Sequence, residues 1–468
     1  MALADFTISL LTFVAIYSLF GIGLNLKYGF TGLIDFGHVA YFMVGAYIAV
    51  VFTLPAGEVT SYAGIGGLGL PAMLSPLPLG GLLAWVLAVL VAMAVSAAVS
   101  LLVGVPTLRL REDYLAITAL GIAVILNSVV NNERWLFNGP FGIREIHQPL
   151  RDAFPVGTGS FQLNMAILGG VSVLVLGYAA YRTALVVRGV ARRPAVAVTV
   201  ATLALAAGGT ALLRSGPVRL AGLLGLAVTA GAGWWAFTRA PEVWPVFTLG
   251  ATEVFVLWYV VGPVVQDGPV ELVRNVLWLF DASAGTAGGL DYSRFVLVLS
   301  VAVLGLGYLF VERLMHSPYG RVLRAIREDE DVPQALGRET YRYKIQSLMI
   351  GSALAGAAGA VWAVHVGFIA PTQFEPPITF FAFTAVIVGG TANNRGVVLG
   401  TGVFWVINSG TRFLDDYVPS EFAVQLAAAR LILIGLLLMV ILYYRPQGLL
   451  GEQDYEVPVP GHGGGTDE

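Results

Sequence analysis

Apolar residues run in long blocks along this chain of 468 residues, separated by short polar stretches. The blocks lie near 7–26, 33–54, 79–104, 113–130, 162–181, 195–213, 218–237, 244–264, 294–312, 345–365, 378–391, 396–411 and 426–444. A bilayer core is about 30 Å thick and a helix rises about 1.5 Å per residue, so about 20 apolar residues suffice to cross it. The pattern predicts an all-α polytopic helical membrane protein with about 11–13 transmembrane helices. The blocks at 378–391 and 396–411 are short for full spans, and a re-entrant or broken pair is an alternative there.

The polar stretches differ from one another. Residues 131–161 form a loop of mixed charge, and 265–293 form one with Asp267, Glu271, Asp281 and Asp291. Residues 313–344 hold the densest charge cluster in the chain. The tail 451–468 ends GHGGGTDE and reads as a disordered acidic segment.

Composition sharpens the membrane assignment. Hydrophobic residues make up 57% and charged residues 12%, against roughly 45–50% and about 25% in soluble proteins. So few charges cannot cover a soluble surface. The net charge of −3 offers no basic field for nucleic acid. The absence of cysteine excludes disulfides and thiolate chemistry. The two lysines, Lys27 and Lys344, stand in no Gly-rich phosphate loop. No HExxH or GxSxG motif occurs, and the five histidines show no ligand spacing. No metal, cofactor or catalytic residue is therefore expected.

Charge distribution sets an expected orientation. The first base is Lys27, after the first apolar run, so that run reads as a retained span and not a cleaved leader. With the N-terminus outside and the sides alternating, 17 of the 26 basic residues fall on the inner side, seven of them within 313–344. The positive-inside rule then predicts an N-out/C-in chain.

The segment Ser317–Lys344 reads SPYGRVLRAIREDEDVPQALGRETYRYK. Ser317 before Pro318 is a helix start, with a cap oxygen and then proline at the first helical position. Val322, Leu323 and Ile326 fall on one face, with Arg321, Arg324, Arg327 and Glu328 on the others. Such an amphipathic helix either lies on lipid headgroups or docks into a groove of a soluble partner.

Among polar residues in the spans, Asp35 and His38 are three apart and are expected on one helix face. They either border the solute path or cap a helix start near the inner interface, where Lys27 is placed. Asn127 and Asn131 are further path candidates, with helix bridging as the competing role for Asn127. Glu253 sits alone in an apolar stretch. Small residues paired four apart, at Ser352/Gly356, Ala355/Gly359 and Gly396/Gly400, allow close helix approach.

Several segments carry a resemblance. NLKYGFTGLIDFGHVAYFMVGAY (Asn25–Tyr47), LRLREDYLAITAL (Leu108–Leu120), FNGPFGI (Phe137–Ile143), the 317–344 loop, GFIAPTQF (Gly367–Phe374) and YYRPQGLLG (Tyr443–Gly451) occur in this order. Together they resemble the permease subunits of the branched-chain amino acid ABC importers, the LivM type. The resemblance implies a transport subunit without its own ATP site, and not an enzyme. It implies a heterodimer with a second homologous permease, two cytoplasmic ATP-binding subunits, an external solute-binding protein and an amino acid as substrate. It implies a prokaryotic inner (cytoplasmic) membrane location. By the same resemblance Gly320, Arg321, Arg324, Ala325, Glu328, Asp329, Ala335, Leu336 and Gly337 form the ATPase contact, with the apolar helix face filling the partner's groove.

The chain also departs from the family. Asp35 replaces a small or hydroxylated residue, and GGTANNRG (Gly389–Gly396) is more polar than usual. An additional membrane region with extra helices occupies 162–293, so the expected division is 1–161, the first half of the core; 162–293, the insertion; 294–450, the second half with the coupling loop 313–344; and the tail. Related permeases carry urea or short amides, which leaves the solute open. An ion-coupled secondary transporter is the other transport class, and it would have no ATPase to dock.

Overall fold

The computed structural model describes residues 3–55, 67–77, 79–109, 112–144, 146–149, 290–414, 423–445 and 447–452, which belong to one compact unit built from the chain on either side of 151–287. The predicted spans at 162–181, 195–213, 218–237 and 244–264, together with Glu253 and the tail from 453, lie outside the described residues.

Ten helices organise the described residues: α1 (Leu3–Lys27), α2 (His38–Thr53), α3 (Gly80–Thr107), α4 (Glu112–Asn132), α5 (Leu290–His316), α6 (Pro318–Glu328), α7 (Thr340–Val366), α8 (Pro377–Gly389), α9 (Asn394–Leu414) and α10 (Ala423–Tyr444), joined by shorter helical turns. No strand occurs among the described residues, and a single antiparallel bridge joins Ile143 to Ile369. The protein is an all-α polytopic membrane protein. Five described helices are long and apolar enough to cross a membrane: α1, α3, α4, α5 and α7.

The bent pair α8 and α9 makes a sixth candidate span. The two helices are bent by 118° at the break after Gly389, as the broken-helix alternative anticipated. The break has a local cause. Gly390 has φ of +118° and Ala392 has φ of +58°, a region that L-residues seldom adopt. Asn393 then starts α9, its Oδ1 accepting the N–H groups of Arg395 (3.0 Å) and Gly396 (3.1 Å).

Helix α7 runs through the centre, against α1, α2 and α3. Its small residues lie at the crossings. A Cβ built on Gly359 would stand 2.0 Å from the Phe42 carbonyl oxygen, and one on Gly356 would stand 2.4 Å from Ser96 Oγ. The Gly396/Gly400 pair serves the α8–α9 contact in the same way, with Gly400 against the Ala385 carbonyl. Close backbone approach is the role of these pairs. Aromatic rings complete the bundle: Phe13 of α1 stacks on Trp405 of α9 at 4.8 Å and meets His365 of α7 edge-on at 4.7 Å.

One element differs from expectation. The second span was placed at 33–54, but α2 begins at His38, because residues 31–37 form a non-helical turn. The segment after α10 also has structure of its own. The N–H groups of Leu449 and Leu450 donate to the carbonyls of Val388 (2.9 Å) and Gly389 (3.1 Å). These are terminal carbonyls of α8, which lack partners within their own helix. Gly448 lies against Gly390, where a Cβ would stand 2.6 Å from the glycine backbone.

Candidate functional site

A buried polar cluster forms where α1 ends. Lys27 is fully buried, and its Nζ lies 2.7 Å from Asp35 Oδ2, 2.7 Å from Ser352 Oγ and 3.0 Å from His38 Nδ1. The Tyr41 ring covers the same ammonium at 4.4 Å. His38 Nε2 stands 3.0 Å from the Phe20 carbonyl, which only accepts. The network therefore assigns the proton to Nε2 and leaves Nδ1 as an acceptor for Lys27. An ammonium has three protons, and here each has an acceptor. Asp35 Oδ1 accepts the Gly37 N–H at 3.0 Å.

This geometry corrects one expectation. Asp35 and His38 do not share a helix face, because Asp35 lies in the turn before α2; they meet through Lys27. The charge of Lys27 is enclosed by α1, the turn, α2 and α7. Sequence reasoning missed Lys27 as a site residue. The available signal was an opposite charge eight residues from Asp35 across a glycine-bearing turn. With its three donors engaged, Lys27 acts as a pin joining four elements.

A second set of contacts ties the end of α1 to the α8–α9 break. Asn25 Oδ1 accepts the Ala392 N–H at 3.0 Å, and Asn25 Nδ2 donates to Asn394 Oδ1 at 3.2 Å. Asn394 Nδ2 donates in turn to Glu312 Oε2 of α5 at 3.1 Å. Asn127 belongs to a different region. Its Nδ2 donates to the carbonyls of Pro371 (2.8 Å) and Phe374 (3.3 Å), which bridges α4 to the segment after α7. Asn131 is exposed at the end of α4. The structure thus brings Asp35 and His38 together and leaves Asn127 and Asn131 apart from them.

The loop between α5 and α7 is compact. Ser317 occupies the N-cap position with Pro318 behind it, but its Oγ donates to the Leu314 carbonyl (2.6 Å) and caps no first-turn N–H. Gly320 is required by closeness: a Cβ there would stand 2.3 Å from the Met315 carbonyl oxygen. Leu323 and Ile326 are buried inside this chain, so the apolar face of α6 is not offered to a partner. That corrects the expected groove-filling face. The exposed apolar groups lie further on, at Val332 and at Leu336, which is 77% exposed. Gly337 follows with φ of +74° and open space around it. Arg321, Glu328, Asp329 and Ala335 are also exposed, while Arg324 and Ala325 are half-buried.

Side chains lock this tip in place. Glu330 accepts from Lys344 Nζ (2.5 Å) and Thr340 Oγ1 (2.9 Å), and Gln334 Nε2 donates to Thr340 Oγ1 (3.0 Å). Partial burial alone would raise the Glu330 pKa, but the hydrogen bonds from Lys344 and Thr340 outweigh it and hold the carboxyl below its usual range. Arg342 pairs with Glu339 at the surface. No group of three or more metal-ligating side chains occurs among the described residues.

A helical bundle of long apolar spans, pinned by buried polar contacts, is the architecture of an integral membrane protein. A family model described as "Branched-chain amino acid transport system / permease component" matches residues 6–191 and 165–442. The chain belongs to this family. It is similar to the "Probable branched-chain amino acid transport permease protein LivM" of Methanocaldococcus jannaschii, with 37% identity over 168 residues, 35% of this chain and 47% of that protein. It is also similar to the "High-affinity branched-chain amino acid transport system permease protein LivM" of Escherichia coli K12, with 24% identity over 444 residues, 95% of this chain and 70% of that protein. The LivH permease of Salmonella typhimurium matches at 27% identity over 197 residues, 41% of this chain and 58% of that protein. The chain thus spans about half the length of the archaeal relative. No solved structure matches the chain.

Proposed function

We propose that this protein is the transmembrane permease subunit of an ABC importer, moving branched-chain or other amino acids by alternating access driven by separate ATPase subunits. The carrying observation is the locked loop tip, with Leu336 and Val332 exposed among Arg321, Glu328, Asp329 and Arg338. An exposed apolar knob on a charged rim fits a groove on a soluble partner, with the charges setting register. Leu336, Gly337 and Ala335 form the centre of this contact; Arg321, Glu328 and Asp329 form its rim. Gly320, Arg324 and Ala325 support it from below.

In this reading the loop faces the cytoplasm of a prokaryotic cell, and the chain is N-out/C-in. It pairs with a second permease, and an external binding protein delivers leucine, isoleucine or valine. Residues 162–293 form an insertion between the two halves of the core. Family membership and the names of the permease relatives support this assignment.

The test is reconstitution with and without co-expressed ATPase and binding-protein subunits. Uptake that needs ATP and all subunits is the expected result. Uptake by this chain alone, driven by a proton or sodium gradient, would establish a secondary transporter instead. ATP-dependent uptake of urea or a short amide in place of leucine would keep the mechanism and replace the solute.

A further inference from the structure

Arg327 stands one residue before the end of α6, and its guanidinium reaches out of the loop. Nη1 donates to the Gly29 carbonyl at 2.8 Å. Nη2 donates to Glu452 Oε1 at 2.7 Å and to Glu328 Oε1 at 2.5 Å, and Nε donates to Glu328 Oε1 at 3.1 Å. Gly29 lies between α1 and the turn that carries Asp35. Gly32 of the same stretch rests on the Arg327 stem, where a Cβ would stand 3.4 Å from Arg327 Cγ. A Cβ on Gly29 would stand 2.5 Å from the Ala392 nitrogen, so the turn also abuts the α8–α9 break.

We infer that Arg327 is a positioning residue that carries displacement of the docking loop into the α1–α2 turn. The inference rests on the proposed function, since it supplies the route by which an ATPase would act on the bundle. At its start, α6 is held against the end of α5 by Gly320 on Met315. A helix held at one end pivots; a second attachment at the far end makes it a lever. Arg327 provides that attachment to a backbone carbonyl two residues beyond Lys27, the pin of α1, α2 and α7. The Gly29 bond is the contact that joins the loop to the turn, while Glu328 and Glu452 orient the guanidinium from the exposed side.

The test uses the full reconstituted complex with Arg327→Leu, Arg327→Gln, Glu452→Ala and Leu336→Asp. Arg327→Leu is expected to retain ATPase subunits on co-purification and to hydrolyse ATP, while uptake per ATP falls about tenfold, the scale of one lost charge-assisted hydrogen bond. Arg327→Gln, whose amide can still donate to Gly29, is expected to recover much of that loss. Glu452→Ala, which leaves the Gly29 contact in place, is expected to stay within about twofold of the parent. Uptake per ATP unchanged in Arg327→Leu would overturn the inference, as would Leu and Gln variants equally impaired together with lost co-purification. Leu336→Asp reports separately: ATPase subunits that still co-purify with it would overturn the docking reading, whatever the Arg327 variants do.

Discussion

Gly45 of α2 and Gly356 of α7 lie so close that a Cβ on Gly45 would stand 2.2 Å from the Gly356 carbonyl oxygen. Neither helix can move back without losing its neighbours, since α3 presses on Gly356 from the other side through Ser96. Gly45→Ala is therefore expected to destabilise the bundle by overpacking, by about 1–3 kcal/mol. Thermal unfolding in detergent measures it. An alanine at Gly305, where a Cβ meets nothing within 4 Å, is the matched control and is expected to be neutral.

The Lys27–Asp35 pair yields a second expectation. Removing one partner leaves a buried charge uncompensated, which costs about 3–5 kcal/mol. Lys27→Met and Asp35→Leu are each expected to cut folded yield sharply. The double substitution is expected to be less damaging than the sum of the singles, because no lone charge remains. A double-mutant cycle on unfolding midpoints reads the coupling.

Asn25 makes a sharper local prediction. Its Oδ1 is the acceptor for the N–H of Ala392, a residue held at positive φ in the break. Asn25→Leu leaves that buried N–H without its partner and is expected to cost about 1–3 kcal/mol. Hydrogen exchange at the break, residues 390–396, is expected to accelerate more than exchange in α3.

The loop tip is expected to be acid-sensitive. Hydrogen bonds from Lys344 and Thr340 hold the Glu330 carboxyl below its usual range, so the carboxylate is favoured in the folded loop. That stabilisation is present above the ordinary glutamate value of about 4.3 and is lost as pH falls through the lower folded value. Proteolysis or exchange at 330–344 is expected to increase on acidification below about pH 4. Lys344→Met is expected to weaken protection at neutral pH and to flatten the acid dependence.

Much of the helical bundle was legible because apolar length is a strong signal. The runs at 7–26, 79–104, 113–130, 294–312 and 345–365 correspond to α1, α3, α4, α5 and α7. The break at Gly389–Gly396 was legible as two short runs flanking glycine and asparagine. Partnerships were not. Lys27 pairs with Ser352 across 325 residues, and Arg327 with Gly29 across 298. Periodicity within one helix carries no information about such distant partners. The apolar stripe of α6 was visible, but a pattern shows only that a face is covered, not by what; here Leu323 and Ile326 face the protein's own interior.

The segment after α10 bears on how the chain is made. Helix α8 has its last two carbonyls satisfied by Leu449 and Leu450, which the ribosome adds about sixty residues later. During synthesis that helix end must wait, its oxygens served by water or by the insertion machinery. The broken pair is thus completed only after α9 and α10 have been translated. The final fold of α8 is set by a segment that emerges two helices later.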